Sequence, residues 1–239
     1  MRSIIDVSFD FRSDSAGRDP DAYSRTLRQY HKLLWSKHLP SGVVFELDDK
    51  RRGTYLYHNS EAGEFFLSSD TVVPSFSWSL QIQQGVARSE LEAFNAIGYT
   101  IGAMMVFPSN SIDRKWTINQ ARGCLWAIRD RFDLTLECIR RFYTGGLSPL
   151  APVLDRYASF FKLFVDFRGY VEFFHLNDLV DADFTSVRIC EPFDDFKRSP
   201  IPTVAEYEAY KNASIAFIQA RNRRIHSALT NEVSEAECQ

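Results

Sequence analysis

Between Val153 and Val180 the chain carries Tyr157, Phe160, Phe161, Phe164, Phe167, Tyr170, Phe173 and Phe174. Wound as a helix, this stretch is apolar nearly all round, so no face of it can be left to water. It is predicted to be the buried helical heart of the fold, and every other segment has to be read as something that can cover it. Asp166-Phe167-Arg168-Gly169 interrupts it and reads as a break between two helices, with Asp166 and Arg168 expected to pair locally.

The segment that best supplies a cover is Thr117 to Tyr143. Thr117 and Gln120 form a capping box. Behind them Ile118, Ala121, Leu125, Ile128 and Phe132 recur at helical spacing, a stripe that must face the core. A second stripe, Asn119, Arg122, Trp126 and Arg129, runs beside it on the same expected helix. Asp133 is expected to cap the next helix, which Gly145 ends.

The preceding residues follow another rhythm. Ile5, Val7, Phe9 and Phe11 alternate with polar residues, as a half-buried strand does. Asp6 and Asp10 share its polar face but stand about 13 Å apart along a strand, too far to hold one ion together. Asp19-Pro20 opens a helix whose apolar face is Tyr23, Leu27, Tyr30 and Leu34. Residues 43–79 read as sheet, an antiparallel meander with turns at Asp48–Gly53 and Asn59–Gly63. Ser68-Ser69-Asp70-Thr71 follows as a loop that satisfies its own backbone. Ser89 with Glu92 makes a second capping box, and Thr100–Phe107 is a continuous apolar run expected as a central strand, in which Gly102 marks a close neighbour. Downstream, residues 178–196 are acidic with one strand at Ser186–Cys190, Pro200 and Pro202 form a spacer, and Thr203 with Glu206 caps a helix to about Leu229.

Strands first and helices second give an α+β domain over residues 1–230, with a sheet-rich half (1–108), a helical half (109–230) and a frayed tail (231–239). The net charge of -3 argues against bulk attraction to nucleic acid or to a membrane. No apolar run is long enough to span a bilayer. Four scattered cysteines without paired or zinc spacing point to no metal and to a reducing cytoplasm. No motif calls for a cofactor.

Against the negative total, residues 109–145 hold seven bases and four acids. Arginine presents a planar fork suited to phosphate and carboxylate, and an indole offers a stacking surface. Asn119, Arg122, Trp126 and Arg129, with Asp70 at the sheet edge, therefore form the candidate site for a small anionic ligand: a nucleotide, a phosphate ester or RNA. The competing expectation is that these arginines pair with Asp70, Asp166 and the 178–196 acids and tie helices to sheet. Gly123 in mid-helix is expected to admit a close approach. Of the histidines, none has ligand spacing, so a nucleophile–base pair would have to be assembled in three dimensions.

The run Arg221-Asn222-Arg223-Arg224-Ile225-His226 resembles the signature of HEPN-type ribonucleases. That resemblance implies metal-independent RNA cleavage with Arg221, Asn222 and His226 acting across the cleft of a homodimer. It covers six residues, and HEPN domains are all-helical, unlike the first hundred residues here. A third reading is a protein-interaction module in bacterial stress or phage defence. The whole chain is similar to an uncharacterised bacterial family of unknown function, through FDFRSDSAGRDPDAYS, LSSDTVV, TINQARG, DRFDLTLECIRRFY and FRGYVEFF. It implies one unit and no particular chemistry, enzymatic or otherwise.

Overall fold

The computed structural model describes residues 5–51, 54–72, 80–199, 201 and 203–237. Two small antiparallel sheets lie in the N-terminal half and helices fill most of the rest, so the fold is α+β. The first sheet is a two-stranded ribbon, β1 (Lys37–His38) against β2 (Val44–Phe45). The second has order β3-β4-β5, built from Leu56–Ser60, Gly63–Thr71 and Met104–Pro108.

Helices α1 (Pro20–Tyr23) and α2 (Arg25–Trp35) precede the sheets; α3 (Leu80–Gly85) and α4 (Arg88–Gly98) join β4 to β5. Then follow α5 (Ile118–Cys124), α6 (Phe132–Thr144), α7 (Ala151–Leu154), α8 (Ala158–Lys162), α9 (Phe167–Phe173) and the long α10 (Val204–Glu237). The aromatic heart is where the sequence placed it. Phe160, Phe161, Phe164, Tyr170 and Phe174 are fully buried, and their rings stand 5.0–5.8 Å from one another in tilted and edge-to-face pairs. Asp166 does separate α8 from α9, but as an N-cap accepting the Gly169 amide at 2.8 Å. Arg168 instead lies over the Phe184 ring.

Several local expectations change. Residues 5–10 form no strand; Phe11–Asp14 is a 3₁₀ turn capped by Asp10, and Phe11 is buried beneath Tyr30. The helix after Asp19 breaks at Ser24, whose hydroxyl caps α2 through the Leu27 amide. Ala87, not Ser89, sits at the N-cap of α4, without a side-chain bond. Ser68–Asp70 belongs to the central strand β4, not to a loop. Each side chain finds a tertiary partner: Ser68 takes Asn119, Ser69 takes His31 and Asp70 takes Arg122.

The run 100–107 begins as a 3₁₀ turn and becomes strand at Met104. As β5 it is an edge strand buried on both faces, because helices rather than a further strand cover it. Thr117 and Gln120 form the capping box, but α5 stops at Cys124, and the N-cap of α6 is Arg131 rather than Asp133. Between them Arg129 and Asp130 both take positive φ (45° and 62°), so the chain doubles back there. Ile128 and Phe132 stay buried as their spacing required, held by turns instead of one continuous helix. Val187 makes a single bridge to Val180 in place of the strand expected at 186–190. The backbone of α10 continues past Leu229 to Glu237. Gly53, residues 73–79 of the expected sheet, Pro200, Pro202, Cys238 and Gln239 lie outside the described residues.

Candidate functional site

Asn119, Arg122 and Asp70 meet where α5 crosses β4. The Asn119 amide donates to Ser68 Oγ (3.1 Å) and to the Ser69 carbonyl (3.2 Å). Arg122 is fully enclosed. Its Nε donates to Thr135 Oγ1 (3.0 Å), its Nη2 to the Asp130 carbonyl (3.0 Å), and its Nη1 pairs with the Asp70 carboxylate. The Phe107 and Phe132 rings flank the guanidinium at 5.4 and 5.9 Å. The fork that suits a phosphate is thus spent on the protein's own acceptors. Because α5 ends early, Trp126 and Arg129 do not continue its edge; Trp126 is 53% exposed in the turn beyond it. Gly123 does admit a close approach: a Cβ there would stand 3.2 Å from Asp130 Oδ2.

Carboxylates outnumber cations around Arg122. Asp70 and Asp130 flank it, and Asp21 with Asp19, from α1, face Asp70. Burial raises the Asp70 carboxyl to about 6 against the pull of Arg122. Burial, and then the charges of Asp70 and Asp19, raises Asp21 to about 8. Asp21 Oδ1 has no hydrogen-bond donor. Among the described residues no group of three acids, histidines or cysteines is disposed to hold a metal ion.

The second sequence candidate is split between interior and surface. Arg221 is fully buried, donating to the carbonyls of Phe174 (3.1 Å), Gly102 (3.0 Å) and Met104 (2.9 Å). Asn222 accepts the Gly102 amide at 2.7 Å and donates to Thr100 Oγ1. Gly102 is required there, since a Cβ would fall 2.6 Å from Asn222 Oδ1 and from the Ile218 carbonyl. His226 is exposed on a different side of α10. Arg221 and His226 are therefore not brought to one cleft within a single chain.

Two histidines contact serine hydroxyls. Trp35 Nε1 donates to His31 Nδ1 (3.0 Å), so His31 Nε2 carries the proton and donates to Ser69 Oγ (2.9 Å), the reverse of what a general base needs. Burial pushes His31 down to about 3 and keeps it neutral. His58 donates from Nδ1 to the Glu46 carbonyl and accepts Ser60 Oγ at 2.8 Å. Ser60 in turn accepts the Ala62 amide, and the set closes the β3–β4 turn.

The surface around α2 is different. Arg25, Arg28, Gln29 and Lys32 recur at i, i+3, i+4 and i+7 on its outer face and, with Asp49, line an open cleft of about 450 Å³. A second cleft of about 460 Å³ adjoins it through Arg25 and is lined also by Asp14, Ser15, Arg18 and Tyr23. Together they hold Arg18, Arg25, Arg28 and Lys32 against Asp14 and Asp49. Asp49 is paired with Lys32 at 2.7 Å, and Asp14 Oδ2 takes the Thr26 amide at 2.9 Å. The Arg28 guanidinium lies 4.6 Å over the Tyr55 ring, and its Nε is buried without an acceptor. From sequence these bases look like the solvated back of an amphipathic helix. The signal for them was their periodicity, which acquires meaning only once the clefts exist.

No helix among the described residues is long and apolar enough to cross a membrane. No curated protein and no solved structure matches the chain. The model described as "Family of unknown function (DUF6994)" matches residues 5–225, nearly the whole length, and the chain belongs to that family.

Proposed function

We propose that this protein binds an anionic ligand, a phosphate ester or nucleotide, in the cleft along the outer face of α2. The observation that carries this reading is the contrast in how cations are used. Arg122 and Arg221 are enclosed and fully engaged, whereas Arg25, Arg28 and Lys32 face an open cleft whose single carboxylate, Asp49, already has Lys32. Guanidinium groups fork onto phosphate oxygens in bidentate fashion and are weakly hydrated, so they bind such ligands without a large desolvation cost. On this reading Asp70 holds Arg122 and Asn119 ties α5 to β4, and neither contacts the ligand.

Calorimetric titration of the purified protein with inorganic pyrophosphate tests the reading. Binding is expected, weakened at least tenfold in Arg28→Ala and also weakened in Arg25→Ala, whose exposed side chain leaves the melting temperature close to that of the parent. Pyrophosphate that does not bind, or binds equally to parent and variant, would overturn it.

A further inference from the structure

Resting on that reading, we infer that the ligand is a nucleoside di- or triphosphate, its base stacked on Tyr23 and its phosphates along Arg25, Arg28 and Lys32. The two clefts that meet at Arg25 differ in chemistry. One is lined by long cationic side chains and one amide, and nothing in it is aromatic. The other contains Tyr23, 51% exposed, with the Arg18 guanidinium 4.6 Å over its ring.

Tyrosine and arginine planes together make a stacking platform that any base can use, since every base has a π-face. From Arg25 to Lys32 the helix rises about 10 Å at 1.5 Å per residue, enough to follow two or three linked phosphates but more than one phosphate needs. Free phosphate or pyrophosphate would leave the aromatic half of this paired site without an occupant.

Isothermal titrations compare ADP, UDP and pyrophosphate on the full chain, on Tyr23→Leu and on Arg28→Ala. The expected result is that either nucleotide binds about tenfold to a hundredfold more tightly than pyrophosphate, a gain of the size that base stacking gives. Tyr23→Leu should bring nucleotide affinity down to that of pyrophosphate and leave pyrophosphate unchanged, while Arg28→Ala should weaken all three. Pyrophosphate binding as tightly as ADP and UDP, or a Tyr23→Leu change that affects the three alike, would overturn the nucleotide assignment and leave the anion cleft standing. Failure of all three to bind the parent protein would overturn both.

Discussion

Arg122 and Arg221 are both fully buried, and the protein accommodates them by opposite means. Arg122 sits among carboxylates: Asp70 on its Nη1, Asp130 beside it, Asp21 and Asp19 behind Asp70. Arg221 meets no carboxylate among the described residues. Three backbone carbonyls surround it, Met105 Sδ lies 3.2 Å from Nη2, and the Trp35 ring is 5.7 Å away. Burial without a countercharge lowers Arg221 to about 9, still protonated at neutral pH. The first arrangement has an excess of negative charge that protons can relieve. The second is a set of fixed dipoles, and the two histidines that feel its charge, His31 and His175, are held neutral by burial. Two buried cations of the same residue type should therefore differ in how their loss depends on pH.

The largest expected effect is that of Arg221→Leu. Three carbonyls, from the 3₁₀ turn at Ile101–Ala103, from β5 and from the end of α9, would lose their donor at once. At about 1–3 kcal/mol each, the loss is about 3–9 kcal/mol, a large part of the stability of an ordinary domain. Chemical denaturation should find that loss unchanged between pH 5 and 8, and Arg221→Lys should recover part of it. Arg122→Leu comes next, at about 3–5 kcal/mol near neutral pH, because it strands the Asp70 charge. Here the loss should shrink at pH 5, where Asp70 takes a proton, and Arg122→Leu combined with Asp70→Asn should be less damaging than Arg122→Leu alone. An Arg122→Leu penalty as flat with pH as that of Arg221→Leu would erase the distinction between the two centres.

The same contrast marks what the sequence disclosed. Aromatic density predicted the helical heart, and residue spacing predicted the buried side of Ile118, Ala121, Ile128 and Phe132, because hydrophobic periodicity is local information. The capping boxes at Thr117 and Thr203 were likewise legible. The end of α5 at Cys124 was not. It depends on Asp130 folding back, its amide donating to the Arg122 carbonyl at 3.0 Å, across a turn with two left-handed residues. Strand β4 through Ser68–Asp70 was hidden for a similar reason, since short polar side chains signal a loop until α2 and α5 supply their partners. Of the site, the pairing of Asp70 with Arg122 was foreseen as one of two readings. The cationic clefts were missed, because a charged stripe on a helix has the same pattern whether it faces bulk water or a cleft.

The smallest effect expected is the most diagnostic of the Arg122 centre, since it concerns the proton on Asp21. A carboxyl raised to about 8 holds, in the folded state, a proton that the unfolded chain releases near pH 4. The folded state binds more protons over that interval, and stability must fall as pH rises through it. Asp70, raised to about 6, acts in the same direction over a shorter range. His31 and His175 act the other way. Burial lowers each to about 3, so below 6.5 the unfolded chain gains protons the folded one refuses, and stability rises with pH up to that point. From about pH 4 to 6.5 these two pairs oppose each other, and above 6.5 Asp21 continues to titrate. Denaturant unfolding of the parent protein should accordingly give a decline of up to about 2 kcal/mol between pH 6.5 and 8. Asp21→Asn should abolish that decline and expose the histidine-driven rise below it. A parent protein whose stability stays level or climbs from pH 6.5 to 8 would mean that Asp21 is already ionised, and that Arg122 sits in an ordinary ion-pair network instead of a proton store.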